Sequence, residues 1–323
     1  MRFNSIITTV ILGMLMASVA SAAIIRVNNN AGADADYTTL QDAQNAAGAG
    51  DTIYVEGSAA AYGNSTITER LYIVGPGYFL DENPETQANT QMASLSTTYF
   101  AAGSEGTVVT GCNFIRHCYV YTDSITLRGN RLWDSYNLYI GDGSNAISDV
   151  LISQCYIYSY SAIEVAANAT NITIRNSHTG SVSGTATSEI TFYNNVCWGT
   201  INVHNSVLNN NIMYSGTFYP SNNIYSYNLA DGTQFGEVDG NQANVTMAAV
   251  FVATGSTDGY WQLTGGSQAS GAGFEGVDCG MYGGGTPYVL SGLMDAPSIW
   301  FLSATGPGTA TGGLNVRIKA KSH

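Results

Sequence analysis

Residues 189–198 read EITFYNNVCW, and the fold turns on the two asparagines in that stretch. Ile190 and Phe192 alternate with Glu189, Thr191 and Tyr193, the pattern of a strand with one apolar face. After Asn194 and Asn195 the apolar spacing resumes out of step. With Asn195 as position zero, equivalent positions fall at Cys112, Asn130, Cys155, Ser177, Asn195, Asn211 and Asn228, in steps of 18, 25, 22, 18, 16 and 17 residues. Three residues before each stands Val109, Leu127, Ile152, Ile174, Phe192, Leu208 or Tyr225, and two after stands Phe114, Leu132, Ile157, Thr179, Cys197, Met213 or Ala230. Ile125, Val150, Ile172 and Ile190 align at −5.

Side chains alternate faces along a strand, so −5 and −3 face one side. A straight strand would put −1 on that side too, yet 0 and +2 carry the small or apolar residues. A corner at −2 and −1 resolves this by bending the chain around one interior. Repetition of the corner predicts a coil of short strands in which each turn stacks on the one before, a solenoid. The unequal steps place loops of variable length elsewhere in each turn. No segment has the long 3.6-residue periodicity of helical or leucine-rich repeats. A β-sandwich would not predict a recurring small residue after the same polar corner. The expected class is therefore all-β: a single-stranded, right-handed parallel β-helix with an N-terminal helical cap and a short C-terminal hairpin.

The flanks fit that frame. Thr38-Thr39-Leu40-Gln41 has the form of a capping box; Leu40, Ala43 and Ala47 share a helical face; Gly48 ends the helix. GDTIYV, residues 50–55, then opens a strand. Such a helix covers an open sheet edge. Residues 77–106 read as a long insertion, locally acidic through Asp81, Glu82 and Glu85. After residue 285, SIWFLSA and LNVRIKA read as two strands around GPGTATGG. The N-terminus has Arg2, an apolar run over 6–16 and Ala20-Ser21-Ala22, which describes a secretory signal peptide cut after Ala22. The expected organisation is a signal peptide over 1–22, the capped β-helix over 23–285 and a hairpin or tail over 286–323.

YTTLQDAQNAAGAGDTIYV, ERLYIVGPG, the asparagine-rich rungs and YWQLTGGSQASGAGFEGVDCGMYGG resemble secreted bacterial right-handed parallel β-helix proteins, the pectin-lyase-like superfamily. The resemblance spans roughly residues 23–285 and implies a fold, not a reaction, because the superfamily mixes lyases, hydrolases, epimerases, adhesins and tailspikes. Arg317-Ile318-Lys319 is similar to the RIK motif of polygalacturonases, but the NTD, DD and GHG motifs of that family do not occur, so no role is transferred.

The 323 residues hold 10 Lys+Arg against 23 Asp+Glu, a net charge of −13, which argues against nucleic acid as a partner. Five cysteines show no CxxC spacing, so no zinc site is expected. Cys112 and Cys155, two rungs and about 9.6 Å apart, exceed the roughly 7 Å reach of a disulfide. Together with Cys197 they read as small buried hydrophobes.

Candidate site residues follow from the rung alignment. Arg128 and Arg175 share position −2, Arg131 and His178 share +1, and Tyr193 joins the −2 row. This local basic strip, expected to point outward beside the corner, is the best candidate to grip an acidic glycan. Asp149 and Glu189 at −6 form a possible acidic pair for hydrolysis. Asp142-Gly143-Ser144-Asn145 with Asp149 offers Ca²⁺ ligands but lacks the full acidic spacing of a calcium loop, so no cofactor is expected. Cys112, Asn130, Cys155, Ser177, Asn195, Asn211 and Asn228 are expected to form a buried ladder. Thr126, Thr173 and Thr191 align at −4, but Leu151 and the unequal coils argue against an ice-binding lattice. The function expected is a secreted or cell-surface monomer that binds polysaccharide or serves adhesion without catalysis. The alternatives are a polysaccharide lyase or glycoside hydrolase on an acidic glycan, and a structural spacer.

Overall fold

The computed structural model describes residues 22–133, 135–294, 297–309 and 313–322. The expected signal peptide, apart from Ala22, lies outside the described residues. The chain is a parallel β-solenoid of about nine turns. Its strands stack into a ten-stranded sheet running from Ile24–Val27 to Ile224–Ser226, an eight-stranded sheet of two-residue strands from Ser94–Leu95 to Leu229–Ala230, and a seven-stranded sheet from Ser65–Ile67 to Ile201–Asn202.

The rung alignment is the pairing register. Leu127 pairs with Val109 and Ile152, Ile174 with Ile152 and Phe192, and Leu208 with Phe192 and Tyr225. The −5, −3 and +2 side chains fill one interior, with Ile125, Ile152, Ile174, Leu208, Cys197 and Met213 inaccessible to solvent.

The corner is tighter than expected. Position −2 is still strand, and the bend is a single left-handed residue at −1: Gly111, Gly129, Gln154, Asn176, Asn194, Asn210 and Tyr227 all have φ between +47° and +68°. One such residue reverses the side-chain parity and brings position 0 inward. Asparagine and glycine tolerate this conformation best, which is why they recur there. At Gly111 the constraint is also steric, since an added Cβ would sit 2.4 Å from the Gly75 carbonyl oxygen.

The helix Leu40–Ala46 lies in the first turn. Thr39 caps it, accepting from the Asp42 N–H, so the cap is one residue later than the Thr38 box expected from sequence. Gln41 and Gln44 accept from the Thr66 and Thr68 N–H groups at 2.7 and 2.6 Å, which satisfies donors of the outermost strand of the seven-stranded sheet. The expected insertion over 77–106 is shorter. Ser94–Leu95 and Thr98–Phe100 are regular coil strands, leaving a loop over residues 77–93 at the corner.

Parallel pairing reaches Leu229–Ala230 and the Leu229–Gln242 bridge. The following segment runs back along the outside of the corner. The Phe274 N–H donates to Asn210, Asn194 donates to the Asp278 carbonyl, Asn176 to the Gly283 carbonyl, Gln154 to the Pro287 carbonyl, and the Tyr78 N–H donates to the Ser291 carbonyl. The polar corner residues thus hold a strap over the solenoid as well as making the bend. Ser298–Thr309 and Gly313–Lys321 form the expected antiparallel hairpin, with longer strands than the sequence suggested.

Candidate functional site

Position 0 is a buried ladder, bonded from rung to rung except between Asn130 and Cys155. The N–H of Cys112 donates to Asn130 Oδ1, that of Ser177 to Asn195, that of Asn195 to Asn211 and that of Asn211 to Asn228, all at 2.9–3.0 Å. Each asparagine amide also donates across the interior to a −3 carbonyl: Asn130 to Val109, Asn195 to Ile174, Asn211 to Phe192 and Asn228 to Leu208. Cys155 Sγ lies 3.3 Å from the Leu127 carbonyl and takes the place of an amide there. The ladder has one further rung, Asn241, which accepts from the Asn228 N–H and donates to Tyr225. Sequence reading missed it because the step is 13 residues and no apolar −5/−3 pair precedes it; DGN, residues 239–241, was its only signal. The five cysteines are buried free thiols, and burial pushes those of Cys112 and Cys155 up to about 12.

Position +1 faces outward on the eight-stranded sheet. Asn113, Arg131, Tyr156, His178, Val196, Ile212 and Leu229 pair rung to rung. The returning segment and the 77–93 loop cover most of this row with Tyr78, Phe79, Phe251, Trp261 and Met281. His178 and Arg131 therefore leave the coil pointing outward, as expected, but end up buried. His178 stacks on Tyr156 with ring centres 4.6 Å apart and contacts Trp261; desolvation pulls its imidazole down to about 4, so it is neutral at pH 7. Its Nδ1 bonds the Ile157 carbonyl, while Nε2 has no partner among the described residues.

The cover ends at Arg131. Its guanidinium lies 4.4 Å from the Phe79 ring centre and 3.8 Å from that of Trp133, with Nε unpartnered among the described residues. It takes part in neither of the two ion pairs found there, Arg26–Glu56 and Lys321–Glu85. Burial lowers its pKa to about 10, so it stays charged. Beside it opens a cleft of about 510 Å³ lined by Phe79, Asp81, Glu82, Asn113, Arg116 and Trp133. Trp133 is 42% exposed.

Arg116 carries the cleft onto the seven-stranded sheet. Its guanidinium lies 4.8 Å from the Tyr136 ring centre and donates to the phenol oxygen. Next to Tyr136 sits His117, whose Nδ1 accepts from the Asn137 N–H at 3.0 Å, which leaves the ring proton on Nε2. Tyr99, Tyr119 and Tyr139 stack rung to rung at 4.6 and 5.0 Å, and Asn137 donates to both Tyr139 and Glu164. Sequence reading missed this tyrosine row because it aligned only the strands flanking the corner.

The other expected site residues are scattered. Arg128 and Arg175 line a separate pocket of about 160 Å³ with Gln154 and Thr286, and Arg175 donates to Thr286. The returning segment divides the expected basic strip into this pocket and the Arg131 cleft. Tyr193 is half-buried, and Glu189 is exposed. Asp149 is held by Asn171 and Ser148, and Asp142 accepts from the Ser144 and Asn145 N–H groups; these bonds lower both pKa values. Among the described residues no group of three or more His, Cys, Asp or Glu comes together to hold a metal ion. Nor is any helix there long and apolar enough to cross a membrane. Set against family models, curated proteins and solved structures, the chain matches none.

Proposed function

We propose that the protein is a secreted glycan-binding β-solenoid of the pectin-lyase-like type, with an acidic sugar seated in the cleft beside Arg131. One observation carries this reading. A guanidinium is largely desolvated, held between two aromatic rings at the end of the cover, and in no ion pair among the described residues of a chain of net charge −13. Desolvating a cation with only a thioether and two aromatic rings as partners is costly, and a planar guanidinium pairs best with a carboxylate or sulfate. Trp133 offers a half-open ring on which a sugar can stack, and Arg116 supplies a second cation along the cleft. Calorimetric titration with uronate-containing, sulfated and neutral oligosaccharides tests it. Acidic ligands should bind, and Arg131→Met should weaken them at least tenfold, while Arg128→Met in the separate pocket leaves them unchanged. Equal binding of neutral ligands, or indifference to Arg131→Met, overturns the reading.

A second reading, lyase action, is favoured by His117, Tyr139 and Glu164 lying beyond Arg116. Lyase chemistry needs a uronate carboxylate neutralised and the neighbouring C–H proton removed, roles suited to Arg116 and to the imidazole or phenol. Release of unsaturated uronate, lost in Tyr139→Phe or His117→Gln, would place chemistry there.

A further inference from the structure

Two residues beyond the row that holds Arg131, the coil carries a second row along the solenoid axis. Trp133, Tyr158, Gly180, Trp198 and Tyr214 stand at +3 on successive rungs, and the N–H groups of its four aromatic members each donate to the coil before. The Trp133 and Tyr158 ring centres are 5.9 Å apart, and those of Trp198 and Tyr214 stack at 4.3 Å. Trp261, from the returning segment, lies beside the second pair and not on its end, since its ring centre is 5.7 Å from Trp198 and 5.6 Å from Tyr214 at steep interplanar angles. The face of Trp198 turned toward the Gly180 rung therefore meets no other ring among the described residues.

A cleft of about 440 Å³ opens there, with Tyr158 and Ser159 on one side, Trp198 on the other and Tyr260 and Trp261 from the returning segment. Ser159, Ser256 and Thr257 supply hydroxyls, and no charged side chain lines it. Asp258, next after Thr257, is buried with its carboxylate held by Asn83, Tyr288 and the Ser291 N–H. This cleft adjoins the one beside Arg131. Trp133 of the first contacts Tyr158 of the second, and Glu82 of the first accepts from the Thr257 N–H of the second at 2.6 Å. Trp133 and Trp198 are three rungs apart, about 14 Å along the axis.

We infer that the ligand is a mixed glycan, in which uncharged sugars accompany uronates, lying along the solenoid axis with an acidic unit beside Arg131 and an uncharged pyranose stacked on the open face of Trp198. This rests on the glycan reading and names the class of chain. A rung spacing of about 4.8 Å is close to the length of one sugar ring, so an extended chain follows the row without turning. An aromatic face takes the C–H face of a sugar, and the neighbouring hydroxyls take its polar rim. The uncharged lining sets the class. A second carboxylate in this cleft would be desolvated with no cation to meet it and would lie near Glu82.

Calorimetric titration tests it, with four probes: a decasaccharide of alternating uronate and N-acetylhexosamine, its disaccharide, and a decamer and dimer of galacturonate. The alternating decasaccharide should bind at least about tenfold more tightly than its disaccharide. Trp198→Ala should remove that gain and leave the disaccharide unchanged. Ser159→Glu, which puts bulk and charge on the cleft wall, should do the same, and it decides the matter if Trp198→Ala also loses the disaccharide through a folding defect. Arg131→Met should weaken both lengths, and the galacturonate decamer should gain little over its dimer. Three results overturn the inference while leaving the Arg131 reading intact: an alternating decasaccharide no tighter than its disaccharide, a gain that survives both cleft variants, or an equal gain for galacturonate. Disaccharide binding that ignores Arg131→Met overturns both.

Discussion

The two sides of one corner make the sharpest contrast in the molecule. Inside, position 0 carries Asn195, Asn211 and Asn228, whose amides are bonded to the rungs on either side. Outside, one residue later, position +1 carries Asn113, Arg131 and His178, each with a buried polar atom that has no partner among the described residues. The repeat spacing is the same on both sides. Within the solenoid a side chain's partners are set by the coil itself. Outside, they depend on the segment that later folds across. Satisfied buried polar groups build architecture, whereas unsatisfied ones at the edge of a cover are where a ligand gains most.

The inner side should fail first when cut. Asn211→Ala removes the acceptor of the Asn195 N–H and the donor to the Phe192 carbonyl. A loss of about 4 kcal/mol is expected, read from urea unfolding midpoints. A loss under about 1 kcal/mol would mean that the ladder is decorative.

The outer side should show itself in pH dependence. The folded pKa of His178, about 4, lies below its unfolded value of 6.5. Between those values the unfolded chain binds the extra proton. Stability attributable to His178 is therefore complete above pH 6.5 and is lost as pH falls toward 4, by an amount on the order of 3 kcal/mol. His178→Phe, which keeps the stacking on Tyr156, should flatten the slope by close to one proton. An unchanged slope would show that the cover opens before His178 titrates.

Arg131→Met should separate stability from binding. An apolar replacement for an unpaired buried cation is expected to leave the unfolding midpoint within about 1 kcal/mol while abolishing preference for acidic glycans. The smallest expected effect returns to the ladder. Cys155→Asn would supply the amide missing between Asn130 and Ser177 and should stabilise by about 1 kcal/mol, whereas destabilisation would show that the rung has no room for it.

The strands on either side of the corner were legible because local rules repeat there. The apolar alternation over Ile190 and Phe192 and the small residues at position 0 can be read wherever they recur, and they returned the correct register on seven rungs. The expected site was less legible. Arg128, Arg131, Arg175 and His178 are neighbours in the rung alignment, but nothing local announces that residues 243–294 will pass between them. Likewise, Gln154, Asn176, Asn194 and Asn210 bond the strap as well as bending the chain, a double use invisible until the partner segment is in place.

By itself, the sequence determined the solenoid: its register, its interior, the ladder at position 0 and a polar corner just before it, since each follows from side-chain parity; that the corner is one left-handed residue at −1 was seen only in the structure. Only the tertiary structure decided which outward residues meet solvent. It sealed His178, left Arg131 at the mouth of a cleft and joined Arg116 to the tyrosine row. Those outcomes depend on contacts between different turns and segments, from Arg116 with Tyr136 20 residues on to Tyr156 with Trp261 105 residues on, which no local pattern encodes.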